Sequence, residues 1–182
     1  MTQPEFLACM QSRVARVAIG PSTVRGRGNA GVGHAARAYL RKLALGGFST
    51  DDPDRFRRRL DMATDELRLG LPRTAQHWGI ARKVLNIFLR DSAYTAFLRD
   101  AYGLSKTEEF LEIPLDSITA KALGTEAGRG ALPRWRGVRR LTADVSAVYQ
   151  EAATRAALRY GIARVHLDAL WWSAGRDGGP TS

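Results

Sequence analysis

Apolar residues in this chain recur at intervals of three and four, and almost every such run is cut off by glycine or proline. Leu7, Met10, Val14 and Val17 keep helical spacing until Gly20-Pro21, and Ala36, Tyr39, Leu40 and Leu43 do so until Gly46-Gly47. Phe56, Leu60, Ala63 and Leu67 follow, stopped by Gly70-Leu71-Pro72. Ala93, Tyr94, Phe97, Leu98 and Ala101 run on to Gly103, and Val145, Val148, Tyr149, Ala152 and Ala156 to Gly161. The starts are equally marked: Asp51-Asp52-Pro53-Asp54, Asp116 and Thr142 have the oxygen or proline chemistry that opens a helix. No segment sustains period-two alternation and no fixed repeat appears. The pattern predicts an all-α fold of about eight helices. It is expected as one compact domain over 1–176, with a frayed tail at 177–182.

A helical chain of this size can do many things, and its charge narrows the choice. The formal net charge is +10 and the sequence pI is near 10.6. A polyanion is the natural partner, nucleic acid ahead of an anionic membrane. Residues 1–60 hold 11 basic and 4 acidic groups, residues 61–120 hold 7 and 9, and residues 121–182 hold 10 and 5. Basic ends flank a middle that holds half of the carboxylates, which suits a chain whose ends grip a backbone and whose middle does chemistry. Arginine outnumbers lysine 24 to 4, and its planar fork suits phosphate. A GC-rich genome would give the same bias. Cys9 is the only cysteine, and His34, His77 and His166 lack ligand spacing, so neither a disulfide framework, a metal site nor a cofactor is expected. No run approaches a membrane span, and the first residues, with Glu5 and no long apolar core, do not resemble a secretory signal. A cytoplasmic, nucleoid-associated and monomeric protein is expected.

The stretch His77-Trp78-Gly79-Ile80-Ala81-Arg82-Lys83-Val84-Leu85-Asn86-Ile87-Phe88-Leu89-Arg90 reads as a tight glycine turn opening into a long helix. Helical spacing puts Gly79, Lys83, Asn86 and Arg90 on one face and Ala81, Val84, Leu85 and Phe88 on the other. One face is expected to pack, and the other to offer an amine, an amide and a guanidinium. Downstream, Ile113-Pro114-Leu115-Asp116-Ser117 is a proline-marked entry into a helix headed by aspartate. The segment Leu132-Pro133-Arg134-Trp135-Arg136-Gly137-Val138-Arg139-Arg140 is compact and basic, able to contact phosphate through Arg134 and Arg136 and to stack a base on Trp135. Other features admit two readings. The Gly28-x-x-Gly31-x-Gly33 loop is either a flexible connection or a phosphate cradle at a helix start. The arginines at 55 and 57–59 suit a solvated face as well as a DNA surface. Trp171-Trp172 suits core or pocket, and His166-x-Asp168 suits a structural pair or an orienting one.

Gly79-Ile80-Ala81-Arg82-Lys83 resembles the hairpin of the helix-hairpin-helix DNA glycosylases, roughly G-[VI]-G-x-K. Ile113-Pro114-Leu115-Asp116-Ser117 resembles that superfamily's downstream segment, roughly [VI]-P-[VL]-D-[TS]-H. The resemblance covers roughly residues 70–124, and its layout is similar to the more divergent archaeal 8-oxoguanine glycosylases. It implies that hairpin amides bind a DNA phosphate, that Lys83 is the amine forming a Schiff base at the sugar, and that Asp116 is the essential carboxylate. This chain has Ala81 where the family has its second glycine, and Ile118 in place of the usual histidine.

The chemistry is coherent on its own terms. Breaking an N-glycosidic bond builds positive charge on the sugar, which a nearby carboxylate stabilises, and an amine or activated water completes the displacement. The target base must leave the stack and needs an aromatic or apolar pocket. The expected site is therefore Lys83 and Asp116 for catalysis; Gly79, Ile80, Ala81, Arg82, Asn86, Arg90, Arg134 and Arg136 for DNA; and Trp78, Tyr102 and Trp135 for the base. The expected substrate is double-stranded DNA carrying a modified or damaged base. Asp116 also suits a plain helix cap, and the alternative function is a DNA-binding module without chemistry.

Overall fold

In the computed structural model, which describes residues 1–20 and 31–174, the chain forms eight α-helices and no strand among the described residues. They are α1 (Gln3–Ala18), α2 (Val32–Leu40), α3 (Pro53–Gly70), α4 (Trp78–Tyr94), α5 (Ala96–Tyr102), α6 (Ser117–Ala127), α7 (Ala143–Tyr160) and α8 (Leu167–Ala174). Short 3-10 turns at Leu45–Phe48, Arg73–Ala75, Leu104–Phe110, Val138–Arg140 and Arg164–His166 link them. The all-α expectation is thus met. Most of the expected glycine–arginine loop, and the expected tail, lie outside the described residues.

The helix starts follow from local chemistry. Thr2 and Glu5 form a capping box on α1, and Asp52 Oδ1 accepts from the amides of Asp54 and Arg55 at 2.8 and 3.1 Å to cap α3. Asp116 caps α6 and Thr142 caps α7, which ends on Gly161 with φ of +64°. The stripe expected to run through residues 93–102 is interrupted at Thr95, whose side chain donates to the Asp91 carbonyl at 2.8 Å. Thr95 closes α4 and opens α5.

Two apolar clusters form the interior. One gathers α1, α2, α3, α4 and α5 around Leu40, Phe48, Leu60, Leu67, Leu85 and Phe88. The other joins Ile113 and Leu115 to α6, α7 and Leu167. Trp135 packs against both. Helix α4 carries the arrangement, with 11 of its 17 residues buried. This corrects the amphipathic reading, because Gly79 and Asn86, placed on an open face by spacing, are buried along with the apolar side. Gly79-Ile80-Ala81 is also the first turn of α4 rather than an exposed hairpin. No helix among the described residues is long and apolar enough to cross a membrane.

Candidate functional site

Lys83 and Asp116, 33 positions apart, meet on the surface of α4, with Lys83 Nζ 3.2 Å from Asp116 Oδ2. Both side chains are largely shielded, at 12% and 20% exposure. The carboxylate is held by a division of labour between its oxygens. Oδ1 accepts from the amides of Ile118 (2.9 Å) and Thr119 (3.1 Å), capping α6, while Oδ2 faces the amine. Thr119 completes the capping box, accepting from the Asp116 amide at 2.8 Å and donating to the Pro114 carbonyl at 3.1 Å. The helix-cap and functional readings of Asp116 are therefore compatible. One oxygen serves the fold and the other the pair.

The segment that carries Asp116 is clasped from behind. The buried Gln150 side chain accepts from the Ile113 amide at 3.0 Å and donates to its carbonyl at 2.9 Å, as a neighbouring strand would. Arg164 donates to the carbonyls of Leu111 (3.0 Å) and Phe110 (2.8 Å). These bonds satisfy buried backbone groups that no helix would satisfy.

Arg82 and Asn86, expected on the DNA side, are buried and bonded within the protein. The Arg82 guanidinium grips both oxygens of Glu112 at 2.8 Å, and also reaches Asp61 (2.8 Å) and Thr64 (2.9 Å). Its carbon centre lies 5.1 Å from the Trp78 ring. Asn86 donates to Glu112 at 2.9 Å. Burial opposes the ionisation of Glu112, but Arg82 and Asn86 outweigh it and hold the carboxyl below its ordinary range. The expected DNA-binding role of Arg82 and Asn86 is corrected to a buried brace between α4, α3 and the Asp116 segment. Gly79, Ile80 and Ala81 are likewise covered. A Cβ on Gly79 would stand 2.2 Å from the Val138 carbonyl oxygen and 2.7 Å from Leu141 Cβ, so glycine there admits the 138–141 turn onto α4. The hairpin-amide phosphate site expected at 79–81 is filled by protein.

Arg90 bridges Asp91, at 2.8 Å, and Asp168 at the start of α8. Burial pushes the Asp168 carboxyl up to about 6; Arg90 and Lys83 pull it down, and the charges of Asp116 and Asp91 push it up. Asp168 is thus within electrical reach of the Lys83–Asp116 pair, a placement the sequence marked only as part of His166-x-Asp168. Its partner is not His166, which lies 2.7 Å from both Tyr94 Oη and Glu108 Oε1. Beyond Asp91, the end of α4 and one side of α1 enclose a cleft of about 230 Å³ lined by Met10, Val14, Val17, Asp91, Tyr94 and Thr95. Tyr94 was legible only as a core residue; its position eleven residues after Lys83 is the signal that places it on the same side of the helix.

The aromatic residues expected to line a base pocket are divided. Trp78 lies under Arg82 and packs on the second cluster, and Trp135 meets Tyr149 edge-on at 5.6 Å between ring centres. Tyr102 packs on the first cluster, beside Gly46. Trp171 is half-buried against the second cluster, a core placement, and the side chain of Trp172 lies outside the described residues. Arg134 and Arg136 are exposed, as expected.

No family model, curated protein or solved structure matches this chain.

Proposed function

We propose that this chain is a DNA glycosylase that flips a modified or damaged base from duplex DNA and breaks its N-glycosidic bond, with Lys83 as nucleophile and Asp116 as its carboxylate partner. The observation that carries this reading is the Lys83–Asp116 contact, sheltered and oriented by bonds that commit one carboxylate oxygen and leave the other on the amine. Lys83 gives up a proton to Asp116 or to water, and its nitrogen attacks C1′ of the sugar. The C1′–N bond breaks, its electron pair leaves with the base, and the base takes up the displaced proton. Ring opening at O4′, which gains a proton from the nitrogen, leaves an imine joining Lys83 to C1′. The carboxylate stabilises positive charge on the sugar throughout. Repair of damaged DNA and removal of modified bases from phage DNA both use this step. The binding-only reading has less support, because it leaves the sheltered Lys83–Asp116 contact without a role.

The test is incubation with an abasic duplex and a panel of DNAs, modified phage genomes included, with borohydride present. A covalent adduct that disappears in Lys83→Gln is expected, together with a tenfold or greater loss of base release in Asp116→Asn (about 1.4 kcal/mol or more of transition-state stabilisation). Abasic sites without an adduct would reassign the attack to water activated by Asp116. Tight binding with neither product would leave the binding module.

A further inference from the structure

Resting on the glycosylase reading, we infer that the phosphate grip of this protein is the arginine-bearing segment 134–140, through Arg134, Arg136 and Arg140, seated where an exposed hairpin was expected. Residues 128–141 contain five arginines and no acidic residue. Arg134, Arg136 and Arg140 are exposed, while Trp135 and Val138 between them are anchored. Trp135 packs on both clusters, Val138 and Leu141 are buried, and the Tyr149 hydroxyl donates to the Pro133 carbonyl at 2.7 Å. Cations held on an anchored backbone lose little freedom when a phosphate arrives, which favours binding.

The location matches the chemistry. The 138–141 turn lies on Gly79, one helical turn before Lys83 and on the same face, a rise of about 6 Å along α4. A nucleic acid strand advances about 3.4 Å per nucleotide, so a strand running from Lys83 toward the start of α4 would carry the phosphates beside the reacting sugar to this turn. The arginines at the start of α3 differ. Arg55, Arg57 and Arg58 follow Asp51, Asp52 and Asp54 in the chain, and the Arg55 amide, with smaller help from the charges of Arg58 and Arg55, holds the Asp52 carboxyl low. Segment 128–141 has no such neutralisation within it.

The experiment measures binding of a duplex carrying a tetrahydrofuran abasic analogue across a salt series, and borohydride trapping on a natural abasic duplex. The variants are R134Q/R136Q/R140Q and, as control, R55Q/R57Q/R58Q. The first is expected to lower the slope of log K against log salt by about 2 to 3. It should also raise the DNA concentration needed for trapping at least tenfold while leaving the adduct yield at saturation near that of the wild type. The control should leave the slope and the half-saturating concentration unchanged. Wild-type slope and trapping in the first variant, or an equal loss in the control, would overturn the inference and leave the glycosylase reading standing. Wild-type protein that neither binds nor traps these duplexes would overturn both.

Discussion

Arg82 and Lys83 are neighbours on one helix, each paired with a carboxylate about thirty positions downstream, and the structure uses them in opposite ways. Around Arg82 the hydrogen bonds close on themselves: Glu112 engages both its oxygens, and the guanidinium adds Asp61 and Thr64. Around Lys83, by contrast, the ammonium has one hydrogen-bond partner among the described residues, Asp116 Oδ2, and two donors to spare. A saturated charge cluster resists change and cannot take part in a reaction without losing its bonds. An unsaturated one that is also sheltered can exchange a proton or meet a substrate. Saturation, more than burial or residue type, separates the brace from the candidate site.

Four variants sharpen that contrast. Lys83→Gln should abolish the borohydride adduct outright while costing about 1 to 3 kcal/mol of urea-unfolding free energy, through the sheltered Asp116 oxygen it leaves, whereas a larger collapse of stability would make Lys83 another brace. Arg82→Leu should do the reverse in kind, costing about 3 to 5 kcal/mol in the same urea titration by leaving Glu112 buried without its cation. Adding Glu112→Leu should recover part of that loss.

Asp168 supplies the third. Its native carboxyl keeps a proton up to about pH 6, against an ordinary value of 3.8. Between those values the native state holds a proton that the unfolded chain has released. Native stability therefore falls as pH rises through this window and levels off above it, by about 3 kcal/mol for this group alone. Urea melts from pH 3 to 7 should show the wild type losing that much relative to Asp168→Asn; parallel curves would remove Asp168 from the titration. Gly79→Ala is expected to cost about 3 kcal/mol or more, because the Val138 carbonyl it would meet is backbone and the 138–141 turn must lift off α4. It should be read as a lower melting temperature together with a higher DNA concentration for half-maximal trapping.

The helices were legible because periodicity, caps and glycine stops all act within a few residues of one another. Lys83 and Asp116 were legible as a pair only through the resemblance, since nothing local marks two residues 33 apart as touching. Spacing put Asn86 on an open face, and the hairpin-like segment put Arg82 among the DNA contacts, for the same reason. Their shared partner Glu112 lies 30 and 26 positions away, and without it a polar residue on a helix reads as exposed. The signal present was the run Ala81-Arg82-Lys83-Val84-Leu85, in which a cation is hemmed in by buried apolar residues. Gly79 was noticed and misread: the backbone approach it permits is made by residues 138–141 of the same chain.

The bond between Arg90 and Asp168 spans 78 positions. At the usual 5 to 20 residues per second of synthesis, Arg90 waits roughly 4 to 16 s on the nascent chain before its partner exists. Glu112 and Asp116 emerge well within that interval, but Gln150 and Arg164, which clasp their segment, come only 18 and 4 positions before Asp168. The amine, the carboxylate and the surroundings that tune them therefore wait for the same late residues, and the site closes as one unit near the end of synthesis.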